Sequence, residues 1–434
     1  MTEEVVFDHY DQVREAMYHP DLSRGMDPRS AEEGNPRADV LSVLHGDEHK
    51  ARRRIENPLF RRSALVEYER ELFPKVLAEI CARDAVGQVD LFELGGALSV
   101  VLAARRTGID HDGSAEQLQE LFGHVKIIAQ ASAIMDVVGD RDQVRAEVMA
   151  VLQRFDERYV QPSLRRRERL LDGDPDGSGE EVPHDLLTVA LRRRRAGDAT
   201  FDGGVLVREA GLYLHGGSHT SAQTLCNTFY YLLGHDGTQR DAALVERAAA
   251  DPLFAQRCVH ETLRLRPTTP RIKRVAVADA RVAGIDVVEG ARVVMDVVSA
   301  NQDAELFGAH PERFDPDRVV RDDVAMWGLS FGAGPHICIG RSVAGGFPLH
   351  GEATSDDVGQ AHLHGLVALM VQVVAARGVR RDPQHDPVLD QRTDRGTRWL
   401  HFPVRFPAGH DDRSTTPRAA HAAVASGDPT ARSL

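Results

Sequence analysis

The chain has 434 residues, room for one large domain or two to three ordinary ones, and its 42% hydrophobic and 27% charged residues are those of an ordinary soluble globular protein. A formal net charge of −13 argues against a dedicated nucleic-acid binder, whose affinity would rest on basic surface. Cys81, Cys226, Cys258 and Cys338 are widely separated and form no CxxC pair, which excludes a disulfide framework and a zinc ribbon and fits a reducing cytosol.

The opening MTEEVVFDHYDQ has no basic-then-apolar leader, and no apolar run approaches membrane-spanning length. A cytoplasmic protein with no membrane or nucleic-acid partner is expected. In chain order, VVFDHY predicts a short strand and DQVREAMYH a helix. A very basic helix follows over residues 48–60. Another spans 63–85, with Leu65, Tyr68, Leu72, Val76 and Ile80 on one face. Helices are predicted around 114–138 and 140–171, then a loop at DGDPDGSGEEVP, then helices at 184–196 and 204–233, the last ended by Gly234. RVAVAD, ARVAGIDVVEG and ARVVMDVV read as short strands with turns. A final helix near 363–377 and a β ending, RWLHFPVRF, close the fold; from 409 the small, polar tail 409–434 reads as disordered. The arginine clusters at 52–54, 165–167 and 192–195 read as solvated faces, with a polyanion site as the lesser alternative.

FGAGPHICIG, residues 331–340, fixes one thiol and one imidazole two positions apart in a loop that glycine and proline keep irregular. Cys338 has several readings. It can pack as a small hydrophobe, the usual fate of a free cysteine. It can join His336, His350, His362 and His364 at zinc, although the spacings match no common zinc pattern. It can be a nucleophile with His336 as base, although residues two apart in a loop rarely reach one substrate atom together. The glycines favour a fourth reading. They let backbone N–H groups turn toward sulfur and let a flat group approach, as a haem thiolate requires.

The loop resembles the haem-binding loop of the cytochrome P450 family, Phe-x-x-Gly-x-His-x-Cys-x-Gly, at Phe331, Gly334, His336, Cys338 and Gly340, with Ala344 following. The resemblance implies a mainly α fold with a minor β region, haem b held between a long distal helix and the Cys338 loop, and Cys338 as axial iron ligand. Gly332 belongs to the same cofactor-binding loop. DEHKARRR resembles the family's basic helix, which makes His49 and Arg53 propionate ligands together with His336 and Arg274, Arg271 being the rival. HETLRLRP and PERF imply a buried scaffold of Glu261, Arg264 and Arg313. LHGGSHTSAQT matches the distal oxygen-binding groove at Gly216, Gly217 and Thr220, with His219 where the family usually keeps an acid. An imidazole titrating near 6.5 at that position can relay protons or touch substrate; the bland alternative is a hydrogen bond to a neighbouring helix.

The resemblance covers a single domain, 1–408, and departs from the family twice. The opening resembles a segment that usually lies further into the family's sequences, which implies that the customary first helix and strand are missing. A glycine-rich insertion at about 345–362 interrupts the helix after Cys338. The activity implied is a monooxygenase that reduces O2 with electrons from a separate ferredoxin or flavodoxin and its NAD(P)H reductase. Its substrate would be a small or medium organic molecule of bacterial secondary or catabolic metabolism. Lys50, Arg52, Arg54 and Arg341 would meet an acidic redox partner, unless they form a plain solvated face. A peroxide-dependent, rearranging or coupling enzyme and a non-catalytic haem sensor are the alternatives.

Overall fold

In the computed structural model, residues 4–24, 35–173, 179–238, 242–348 and 362–408 are described. The expected tail at 409–434 and most of the insertion lie outside them.

Local chemistry starts and stops the helices. Asp90, Ser114, Asp140, Asp185 and Asp251 each accept from a backbone N–H in the first turn of the helix they precede. The expected helix over 63–85 is realised as Arg62–Glu67, a π turn at Tyr68–Leu72, and Phe73–Asp84. That over 140–171 becomes Arg141–Phe155, a π turn at Asp156–Val160, and Gln161–Leu171.

One major element has no amphipathic pattern to reveal it. Leu91–Thr107 is buried on nearly every side, and a helix apolar all round has no face for periodicity to find. It forms the floor of the long distal helix, which runs Val205–Leu214, through a π segment His215–His219, to Thr220–Leu232. Its small residues set the approach. A Cβ at Gly95 would lie 3.2 Å from the Ala222 Cα, and one at Gly96 would enter the Phe122 ring. Ser99 Oγ donates across the seam to the Ser218 carbonyl at 3.1 Å.

A four-stranded sheet flanks this bundle, ordered Glu4–Phe7, Arg292–Asp296, Arg271–Ala276, Leu22–Ser23, with only the first pair parallel. ARVAGIDVVEG folds as the hairpin Ala280–Val282 with Ile285–Val287, turning at Ala283 and Gly284, both at positive φ. The β ending supplies Trp399–His401 and Pro403–Arg405 to two smaller sheets.

The helix after Cys338 is interrupted as expected. Arg341–Ala344 stops after one turn, and helix resumes at Leu366–Ala376. The chain leaves and returns at one point: Phe347 N donates to the Leu363 carbonyl at 2.8 Å. Gln256 Nε2 clamps this base through the carbonyls of Gly345 and Phe347, at 3.0 and 2.9 Å. Glu69 accepts from the backbone N–H of His364 and Gly365.

Candidate functional site

The loop carrying Cys338 is shaped by backbone that only glycine adopts freely. Gly332 and Gly334 both have positive φ, and a Cβ at Gly334 would lie 3.1 Å from the Met17 carbonyl. The loop therefore rests directly on the helix Tyr10–Tyr18. Cys338 N donates to the Phe331 carbonyl at 2.8 Å. The Phe331 ring stands edge-on to Trp327, which stands edge-on to His260, whose Nε2 lies 2.7 Å from the Gly345 carbonyl.

Cys338 alone of the four cysteines is exposed; the others are buried. Protein atoms packed around the sulfur push its thiol pKa up, against the pull of the Gly340 N–H and of Arg53, Arg341 and Arg24. A bound metal would displace the thiol proton. The zinc reading gains no support, since no cluster of three or more His, Cys, Asp or Glu that could hold a metal occurs among the described residues. His362 Nε2 instead lies 2.8 Å from Gln256 Oε1, and His364 beside Glu69. His336 is no partnered base either: its ring lies 4.0 Å from that of His49 and stacks at 6.3 Å on His45.

Around the loop the structure gathers positive charge without counter-charge. Arg274 is buried; Nη1 donates to the Leu22 carbonyl at 3.0 Å and Nε has no partner. Arg271, the rival, is part-exposed and paired with Asp394 at 3.1 Å. Burial, then His49, Arg24, Arg274 and His45, push the His336 pKa down to about 2. Burial, then Arg53 and Arg24, hold His49 at about 4, and burial and Arg24 bring Arg274 to about 9. Arg24 and His45 belong to this group, and the family's motif points to neither. Burial keeps both imidazoles in the neutral, hydrogen-bonding form, and the part-desolvated arginines beside them, one with an orphan guanidinium nitrogen, call for anions. Two carboxylates above an exposed thiol meet that requirement, so the residues present fit a haem with its propionates.

Opposite lies the π segment. Gly216 is exposed although it sits mid-helix, and a Cβ there would meet nothing within 4 Å. It faces open space. Gly217 does the other job: a Cβ would lie 2.9 Å from the Ala103 Cβ, so this glycine permits helix packing. Thr220 is half-buried and its Oγ1 donates to the Gly216 carbonyl at 2.7 Å, a bond that a π segment leaves available. Arg53 lies within electrostatic reach of both Cys338 and Tyr213 of the distal helix.

His219 requires a correction. Its ring is buried edge-on to Phe92 at 5.5 Å and lies 5.4 Å from His215. Burial, then Arg398, His215 and Arg395, hold its pKa well below the ordinary value. Its surroundings therefore favour the neutral imidazole, against the expectation of a group titrating near 6.5.

The buried scaffold also differs from expectation in one member. Glu261 takes Arg264 Nη2 at 2.7 Å and Nε at 2.8 Å, both residues being essentially inaccessible. The third arginine is Arg318, whose Nε lies 3.1 Å from Glu261 Oε1 with a side chain 7% exposed. Arg313 is 70% exposed and contributes only its carbonyl, to Arg264 and Arg318. Its side chain points outward because the turn after Pro311 spends the inward position on main chain.

Other basic residues are spoken for. Arg52 is buried, donating to Glu209 at 2.8 Å and to the Thr200 carbonyl at 3.0 Å, so it leaves the expected partner surface. Arg167 is buried between Asp185 and Asp110. Arg193, Arg194 and Arg195 pair with Asp198, Asp202 and Asp172. Five of the clustered arginines are thus already matched by carboxylates.

The family model described as Cytochrome P450 matches residues 1–345, which places the whole Cys338 loop inside the match. The chain belongs to the cytochrome P450 family. Among its relatives, cyclooctat-9-en-7-ol 5-monooxygenase of Streptomyces melanosporofaciens is 27% identical, the alignment spanning 75% of each chain. Pulcherriminic acid synthase of Bacillus subtilis is 25% identical over 77% of this chain and 78% of that protein. The fold resembles that of Mycobacterium smegmatis CYP164A2, with TM-score 0.67, 19% identity, and 92% and 90% of the two chains covered. It also resembles the Tepidiphilus thermophilus P450 heme domain, with TM-score 0.67, 18% identity, and 92% and 88% covered. The protein is a haem-binding oxidoreductase of the P450 monooxygenase type, its haem iron bound through cysteine thiolate. Among the described residues, no helix is long and apolar enough to cross a membrane.

Proposed function

We propose that this chain is a cytoplasmic bacterial monooxygenase that oxidises a small or medium organic substrate of secondary or catabolic metabolism. It would draw two electrons from a separate ferredoxin or flavodoxin with its NAD(P)H reductase. Bound haem supplies the dioxygen activation. The observation that carries the reading is the pairing of an exposed Cys338 thiol with a distal helix opened at Gly216 and Thr220.

In this reading Cys338 ligates iron, and His49, Arg53, Arg274 and His336 hold the propionates. The glycines of the loop keep the approach to sulfur clear. Thr220 is the proton-positioning group: its hydroxyl, parked on the Gly216 carbonyl, can rotate to organise a water. His219, held neutral against Phe92, supports the helix or passes a proton without becoming charged. Lys50, Arg54 and Arg341 remain for a docking face, Lys50 being paired with exposed Asp47.

The missing distal acid favours one second reading, a peroxide-dependent enzyme that needs less proton delivery. Turnover with NADPH, a surrogate ferredoxin, its reductase and isotopically labelled O2 separates the two. Label in the product supports the monooxygenase; product from hydrogen peroxide alone, with none from the reductase system, supports the alternative.

A further inference from the structure

A cleft opens beside the cationic cluster between the residue 35–43 segment, the helix Ala115–Ser132 and the strand Arg271–Ala276. Six cations line it: Arg24, Arg37, Arg145, Arg271, Lys273 and Arg395. Four are matched. Lys273 and Arg395 share Asp136 at 2.5 and 2.8 Å, Arg271 takes Asp394, and Arg145 takes Asp142. Arg24 and Arg37 have no carboxylate at ion-pair distance among the described residues, although Asp136 attracts Arg37 from further off. Arg37 Nη2 makes one long bond to Ser42 Oγ at 3.4 Å, and its Nε is buried without a partner. The remaining wall is mixed: Val43, Ala131, Ile134, Met135 and Ile272 give it an apolar stretch, beside the polar Asn35, Ser132, Asp136 and Thr269.

The cleft lies within electrostatic reach of the haem site: Arg24 is near enough to act on a Cys338 thiolate, and Arg37 to disfavour protonation of His215 in the π segment. Burial, then Arg24 and Arg395, bring Arg37 down to about 10, against the attraction of Asp136. The proposed propionate partners are His49, Arg53, Arg274 and His336, and Arg37 lies outside that set.

Resting on the P450 reading, we infer that the substrate carries a carboxylate bound by Arg37, with Arg24 behind it, and an apolar body laid along Val43, Ile134 and Met135 toward the distal helix. A carboxylate answers Arg37 bidentately and relieves its repulsion with Arg24 and Arg395. The same contact fixes which carbon of the body faces the iron, because the anchor sets the depth of insertion.

The test uses haem-loaded protein with dodecanoate, dodecan-1-ol and dodecyl phosphate, read by calorimetry and by the Soret difference spectrum. Dodecanoate is expected to bind about tenfold or more tightly than the alcohol, the worth of one charge-assisted contact. R37Q should abolish that preference while leaving alcohol affinity, haem content and far-ultraviolet circular dichroism unchanged. The inference is overturned if acid and alcohol bind alike or not at all, if R37Q keeps the preference, or if dodecyl phosphate binds more tightly than dodecanoate. Loss of haem from R37Q overturns it too, since Arg37 would then serve a propionate. Failure of the P450 reading would look different: the wild type itself would take up no haem.

Discussion

Arg318 Nε lies 3.1 Å from Glu261 Oε1, on the same carboxylate that binds Arg264. Two guanidinium groups thus converge on one buried carboxylate, and the surplus charge is spread over the carbonyls of Phe307, His310, Asn301 and Pro311. Removing one partner strands buried charge, at a cost of about 3–5 kcal/mol. Arg318→Ala should therefore yield little folded, haem-loaded protein. Arg313→Ala should behave as wild type, within about 0.5 kcal/mol, as for an exposed side chain. Thermal denaturation and haem content per chain measure both. Equal damage from the two variants would restore Arg313 to the scaffold.

The two distal glycines separate in the same manner. Gly217→Ala drives a methyl into Ala103, whereas Gly216→Ala points one into open space. The first should lower stability by about 1–3 kcal/mol, the usual cost of overpacking. The second should leave stability intact and weaken ligand binding at the haem, seen as slower carbon monoxide association. Reversed outcomes would mean that the cavity lies on the other side of the helix.

His219→Ala should retain haem and the wild-type carbon monoxide spectrum. It should divert reducing equivalents to peroxide if the ring passes protons, and His219→Asp should recover part of the coupling. Because the ring stays neutral, the wild-type rate should show no step near pH 6.5 from this residue. Full product yield per electron in His219→Ala would leave it a packing residue against Phe92.

Glu56 and Glu209 are fully buried around Arg52, with Tyr213 donating to Glu56 at 2.7 Å. Burial pushes Glu56 up to about 7, against Tyr213, Arg52 and Arg53, and raises Glu209 well above its usual range, with Glu56 adding to the rise. A folded-state value above the unfolded 4.5 means the native protein holds the proton more tightly. Its contribution favours folding most below that value and is lost as pH rises through about 7. Buried histidines such as His215 and His260, depressed to about 3 and 4, act in the opposite direction. The informative quantity is thus the difference between wild type and E56Q. Denaturation from about pH 5 to about pH 8 should show E56Q gaining on the wild type as pH rises. A constant gap would show that Glu56 stays charged throughout.

The haem side of the fold was legible because its parts are local in sequence. The Cys338 loop, the His49–Arg53 spacing and the Glu261–Arg264 spacing each need only a few residues to be seen. What stayed hidden depends on long-range packing. Leu91–Thr107 has no polar face, so no period marks it. Arg313 and Arg318 lie five positions apart, and only the path of the turn decides which points at Glu261. Arg52 looks like surface on a basic helix until Glu209, far along the chain, arrives beside it. His219 reads as a titrating group because sequence carries no measure of desolvation.

The central claim is that Cys338 is the axial ligand of haem iron, and the ferrous carbon monoxide spectrum tests it most directly. Wild type should show the family's long-wavelength Soret band, and Cys338→Ser and Cys338→His should both lack it while the remaining fold, judged by far-ultraviolet circular dichroism, persists. The same long-wavelength band in both variants would contradict the assignment.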